Sequence, residues 1–139
     1  MSGIVRFTPK ELGYLDDDVF TTLGFEQVNK AGPTTYFSGI APMKGSLEAL
    51  EVQGVGDAGA QLSFTLDVLD RALTGAGLTR ADLVQLYIFT SAMTEFGAHL
   101  GLIAEWVGDS RPTTTTLEVK GFIHPDQLVE ITATAYSEG

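Results

Sequence analysis

The chain has 139 residues, 44 % of them apolar, which fits one domain with a core of its own. Eighteen acidic residues against 8 basic ones give a net charge of −10, which argues against nucleic acid and anionic membrane surfaces as partners, because both need a basic footprint. The absence of cysteine excludes disulfides, thiolate metal sites and cysteine nucleophiles.

An anionic substrate would need a local positive site working against that field. The opening MSGIVRFTPKELGY holds no apolar core of signal-peptide length, and no stretch is long enough to span a bilayer. A soluble, cytoplasmic protein is expected. His99 and His124 stand apart in the sequence, so no metal site is expected.

The first ~20 residues read as irregular, with Asp16, Asp17 and Asp18 in a solvated turn. Residues 25–28 and 35–40 read as two strands joined by a turn at Lys30-Ala31-Gly32-Pro33, together a hairpin. Residues 47–52 form one more strand in some readings, although Gly45, Gly54 and Gly56 interrupt the region. The clearest helix spans 57–74: Leu62, Leu66, Leu69 and Leu73 recur at helical spacing, Asp57 suits the N-cap, and Gly75-Ala76-Gly77 ends it. Residues 83–90 (LVQLYIFT) read as a central strand buried on both faces.

Thr94 opens a second helix with Phe96, Leu100, Ile103 and Val107 on one face, stopped by Gly108-Asp109. Residues 113–119 and 128–136 are the final strands. In the last, Val129, Ile131, Ala133 and Ala135 share the face expected to meet the helices. Glu130 lies on the other face, toward either solvent or a polar neighbour such as a subunit interface. The order is ββ(β)αβαββ, an α+β chain with one mixed sheet and two helices on one face. The other sheet face, with Phe89, Leu117 and the Glu130 row or their neighbours, would be bare in a monomer, which suggests an oligomer.

Five segments carry a resemblance. Tyr36-Phe37-Ser38-Gly39-Ile40 resembles a strand ending in Ser-Gly-Gln, and residues 66–77 (LDVLDRALTGAG) a helix ending in Ala-Gly. Residues 83–96 (LVQLYIFTSAMTEF) resemble a strand and the loop into a second helix. Residues 111–119 (RPTTTTLEV) resemble an Arg-Pro-Ala-Arg-Thr-Thr-Val-Glu-Val segment, and residues 128–135 (LVEITATA) a closing Val-Glu-Ile-Glu-Ala strand. In this order they resemble the RidA/YjgF family over about residues 25–136 of what reads as a single domain, 1–139.

The resemblance implies a chorismate-mutase-like α+β fold and a homotrimer with a cleft at each subunit interface. It also implies a small-molecule substrate, an imine or enamine hydrolysed to a keto acid and ammonia, and no cofactor. It places the water-positioning glutamate at Glu130, cleft-lining backbone at Gly39 beside Ser38, an aromatic wall at Phe89 and a small wall residue at Thr116. The family's substrate-carboxylate arginine falls at Thr114, and threonine cannot make the bidentate, charge-assisted pair that a guanidinium makes. The substrate is therefore expected to differ. The early Gly-Pro-Tyr-Ser segment has no clear counterpart.

Thr114 and Thr116, two apart in one strand, share a face; with Glu130 they form a hydroxyl-lined pocket, or they simply serve strand propensity. Arg111 either reaches into the cleft to replace the lost charge or is a surface arginine before Pro112. Two functions compete. One is hydrolysis at C=N, with Glu130 moving the proton. The other is a non-catalytic metabolite-binding or regulatory trimer, or a different reaction on the same fold.

Overall fold

The computed structural model describes residues 3–139. In chain order the elements are β1 (Ile4–Phe7), α1 (Asp17–Leu23), β2 (Val28–Ala31), β3 (Thr34–Ile40), β4 (Met43–Lys44), β5 (Glu51–Val52), α2 (Ala58–Gly75), β6 (Leu83–Thr90), α3 (Met93–Gly97), α4 (Leu100–Val107), β7 (Thr113–Glu118) and β8 (Val129–Tyr136). Six strands form one mixed sheet in the order β1-β2-β3-β8-β6-β7, parallel only at β6–β7; β4 and β5 make a separate two-stranded ribbon. The last strand of the chain thus lies in the middle of the sheet, between β3 and β6.

The helix over 57–74 stands, with Asp57 accepting at 2.9 Å from the Ala60 amide. Its Leu62, Leu66, Leu69 and Leu73 are buried together with Phe37, Leu86, Ile88, Ile131 and Ala133 of the sheet. In β8, Val129, Ile131, Ala133 and Ala135 are buried and Glu130, Thr132 and Thr134 are partly open, the alternation expected of a strand with one covered face. The helices leave the other face open, and there Tyr36, Tyr87, Leu117 and Tyr136 are exposed. No helix of the described residues is long and apolar enough to cross a membrane.

Several expectations need correction. The opening segment is not irregular: β1 pairs antiparallel with β2, and α1 follows. Residues 1–2 of that segment lie outside the described residues. Asp16, Asp17 and Asp18 are exposed, as expected, but open a helix instead of forming a turn. Asp16 is the N-cap position of α1 and the other two occupy its first turn, where carboxylates oppose the free amides of a helix start. Asp18 also accepts from the Leu47 amide at 3.0 Å. The first hairpin is shifted, with strand at Val28–Ala31 instead of 25–28, so Lys30 and Ala31 lie in β2 and only Gly32-Pro33 turn. Within 47–52 only Glu51–Val52 is strand.

Strand β6 is not buried on both faces: Leu86, Ile88 and Thr90 are buried, whereas Val84 and Tyr87 are exposed. The second helix is two. His99 leaves helical geometry at φ −112°, ψ 10°, and a Cβ on Gly59 of α2 would lie 2.7 Å from its imidazole Cε1. The break turns Leu100 out to solvent and lets Trp106 join Phe96 and Ile103 inside.

Candidate active site

Glu130 is the second residue of β8, in register with Phe89 of β6; Phe89 in turn pairs with Leu117 of β7. Paired residues share a face, so these three stand on the open side of the sheet. On the other flank β3 carries an irregularity between Phe37 and Ile40. This brings Gly39 against the Glu130 carboxylate: a Cβ there would sit 2.7 Å from Oε2 and 3.0 Å from Cδ. Only glycine accommodates that approach without moving the acid.

Glu130 is largely buried, and burial pushes its carboxyl above the ordinary 4.5, opposed by a hydrogen bond that Gln127 Nε2 donates to Oε1 at 3.4 Å. Beside it lies a cavity of about 200 Å³. Apart from Glu130, Gly39, Ala41 and Tyr14, its walls are Leu15, Val19, Leu23, Phe25, Met43, Leu50 and Ile123. The buried Tyr14 hydroxyl accepts from the Ala41 amide at 2.9 Å. Burial, with the nearby Glu130 charge adding to it, holds this phenol far above its usual range, so it keeps its proton and can donate it. The cavity therefore pairs one partly buried carboxyl with one fixed hydroxyl, in apolar surroundings.

The other expected residues are distributed differently. Ser38 donates its hydroxyl to Glu26 O at 2.7 Å and lines a neighbouring groove of about 480 Å³ with Arg6, Glu26 and Asn29; Phe25 borders both spaces. Thr114 and Thr116 register with Leu86 and Ile88, which face the helices. They are thus on the opposite side of the sheet from Glu130, on its edge strand, and one chain does not form the hydroxyl-lined pocket with Glu130 expected above. Thr114 Oγ1 donates to Pro112 O at 3.1 Å. Arg111 adopts a left-handed conformation (φ 43°, ψ 57°) ahead of β7, which breaks the strand alternation there, and it does not line the cavity beside Glu130. Among the described residues no three His, Asp or Glu side chains converge as metal ligands would.

Comparison with known proteins bears on this arrangement. The family model described as Endoribonuclease L-PSP matches residues 18–137. The 3-aminoacrylate deaminase RutC of Acinetobacter baylyi is 33 % identical over 107 residues, covering 77 % of this chain and 82 % of the relative. The chain belongs to the RidA/YjgF family. A solved member of the YjgF/YER057c/UK114 family from Mycobacterium tuberculosis superposes with a TM-score of 0.77 at 26 % identity, over 96 % of this chain and 99 % of that one. A Rid protein from Yersinia pestis, at 19 % identity and a TM-score of 0.79, shares the fold over 96 % of this chain and 100 % of its own. The architecture is therefore the chorismate-mutase-like α+β layer of RidA/YjgF proteins.

Two polar residues close to Glu130 escaped the sequence: Tyr14 in the cavity wall and Gln127 bonded to the carboxylate. Tyr14 carried only a weak signal, a Gly13-Tyr14 pair without the proline and serine of the family segment. Gln127 carried none, because a glutamine before a strand is ordinarily solvated.

Proposed function

We propose that the chain is a cytoplasmic, homotrimeric hydrolase of imines or enamines whose substrate presents an uncharged, apolar substituent to the Glu130 cavity. Water adds to the C=N carbon as Glu130 accepts its proton and passes it to nitrogen; the carbinolamine then loses ammonia to leave a carbonyl. The balance is R₂C=NH + H₂O → R₂C=O + NH₃; an enamine first takes a proton on carbon. Tyr14 donates to the nitrogen or the new oxygen.

The observation that carries this reading is the partly buried Glu130 carboxyl at the wall of an apolar cavity that no basic side chain lines. An engineered cavity of about 150 Å³ with similar walls accepts benzene, so the space beside Glu130 takes a branched aliphatic or phenyl group. RutC of A. baylyi, named for an enamine deamination, supports the reaction class. The endoribonuclease description of the family model fits poorly with a chain of net charge −10, which offers RNA phosphates no basic footprint. The trimer is supported by the open, partly apolar sheet face and by the position of Thr114 and Thr116. In the proposed trimer the edge strand of a second copy would carry them to the Glu130 site, since within one chain they lie on the opposite sheet face.

The test is ammonia release from imines generated in place from alanine, valine, leucine, phenylalanine and aspartate. Turnover should rise about fourfold per buried methylene from alanine to leucine, aspartate should be poorest, and Glu130→Ala should abolish it. A flat series overturns the apolar specificity. Turnover that survives Glu130→Ala overturns the site. Tight binding of the keto acid products with no turnover of any imine would make the protein a binding module. A monomer by light scattering at micromolar concentration would overturn the trimer.

A further inference from the structure

Gln127 is one of two glutamines, with Gln27, that are buried with an unpartnered Oε1, and it is the one that also bonds Glu130. It is 1 % exposed, and its Oε1 is buried without a hydrogen-bond partner. The bonds this carboxamide makes within the protein come from its other end. That end, Nε2, donates to Val129 O at 3.1 Å and to Glu130 Oε1 at 3.4 Å.

The backbone that carries Gln127 is fastened from two sides. From α2, Gln61 donates to Asp126 O at 2.9 Å and accepts from the Leu128 amide at 2.7 Å. From the end of β6, Thr90 Oγ1 donates to Leu128 O at 2.8 Å and Ser91 Oγ to Gln127 O at 3.3 Å. The loop itself adds a bond from the Gln127 amide to His124 O at 3.1 Å. A side chain on so constrained a backbone has little freedom to aim elsewhere.

We propose that Gln127 is the positioning residue of the Glu130 site: it holds Oε1 so that Oε2, the oxygen over Gly39, is the one presented to water and substrate. The two carboxylate oxygens are then unequal. Oε1 is engaged by a fixed donor, and Oε2 has the clearance that a missing Cβ provides. The inference rests on the proposed role of Glu130 for its catalytic meaning, but its geometry is independent of it. The other ionisable groups nearby are Tyr14 across the cavity and His124 and Asp126 in the loop that carries Gln127.

The test uses Gln127→Met and Gln127→Leu, two uncharged replacements that fill similar volume and donate nothing. The Glu130 side-chain carboxyl is followed by carbon-13 NMR of glutamate-labelled protein, assigned by its loss in Glu130→Gln. A hydrogen bond to the ionised form keeps a carboxyl more acidic, so its removal should move the Glu130 titration up. The acid limb of the pH profile of imine turnover should move with it, while the melting temperature changes little. A merely structural glutamine predicts the reverse: a lower melting temperature with the Glu130 titration in place, and that result overturns the proposal. A titration that moves in a protein turning over no imine would support the positioning and sink the proposed reaction. Turnover with an unmoved titration would do the opposite.

Discussion

Gly39→Ala tests the site at its tightest point. The added methyl would lie 2.7 Å from Glu130 Oε2, 3.0 Å from Cδ and 3.3 Å from Cγ. Ordinary carbon–oxygen contact begins near 3.4 Å, so the carboxylate must retreat by about 0.7 Å or swing to another rotamer. Glutamate has three side-chain torsions and the obstructing atoms are its far end, so the fold absorbs the change: a loss of stability of about 1 kcal/mol or less is expected. Gly39 does not require a left-handed backbone, so alanine brings no torsional strain. Catalysis is less forgiving, since a displacement near 1 Å costs about 10²-fold. The assay is kcat/KM for ammonia release from a leucine-derived imine, with a thermal melt on the same preparation. The expected result is a fall of about 10²-fold with a nearly unchanged Tm. Placing Gly39→Ala in a Glu130→Gln background supplies the control. If the alanine acts only through Glu130, the double variant should be no worse than Glu130→Gln alone. Activity within twofold of wild type, or a full additive loss in the double variant, refutes the reasoning.

Glu130→Gln should keep only a measurable residue of turnover, the level against which the double variant is read, yet be more stable at neutral pH. The folded carboxyl is raised above its ordinary 4.5; the stability that the protonated form enjoys below 4.5 is thus lost as pH rises through the raised value. The variant should melt above wild type near pH 8 and converge with it toward 4.5; parallel melting curves at both pH values would count against a desolvated Glu130. Tyr14→Phe leaves the Ala41 amide without its buried acceptor and should destabilise by about 1–3 kcal/mol in chemical denaturation. Leu62→Ala, at a fully buried position under the sheet, should cost about 2–5 kcal/mol by the same measurement. Arg80→Ala removes a bidentate pair with Asp70 (2.7 and 2.5 Å), a bond to Trp106 O and a stack on its indole. The pair is half exposed, so a stability loss near 1 kcal/mol is expected, with imine turnover unchanged.

What the sequence disclosed follows from how far each interaction reaches along the chain. The leucine stripe of α2 and the alternation of β8 are set by local period, and both stand as read. The face of Glu130 was legible from the alternation of Val129 and Ile131, while its role as a site residue came from the family resemblance. The elements that eluded the sequence depend on distant partners. Strand β1 exists because β2 offers it an edge, and α1 is held by Leu47 and the Phe20–Phe25 packing. His99 breaks the second helix by packing on a glycine forty residues earlier. The pairing of Gly39 with Glu130 depends on a strand irregularity that no local pattern announces. Within one chain the threonine pair lies away from Glu130 for a similar reason. Thr114 and Thr116 do share a face, but which face was decided by registration with Leu86 and Ile88.

Threonine at position 114 and the apolar cavity beside Glu130 point to the same proposed substrate. A guanidinium at position 114 would serve a substrate that carries its carboxylate near the reacting carbon, and a carboxylate needs such a partner because burying it alone is expensive. In this chain the position holds threonine, and the space beside Glu130 is walled by Leu15, Val19, Leu23, Phe25, Met43, Leu50 and Ile123. Those side chains gain from a substrate group that leaves water and offer nothing to an anion. Restoring only the cation therefore should not restore a conventional imino-acid hydrolase. Thr114→Arg is expected to lower KM for short 2-imino acids such as 2-iminopropionate while leaving the preference for leucine- over alanine-derived imines intact, because the walls that set that preference are untouched. If the single arginine instead erases the preference, the cavity does not select the substrate, and the specificity argued from its walls is wrong.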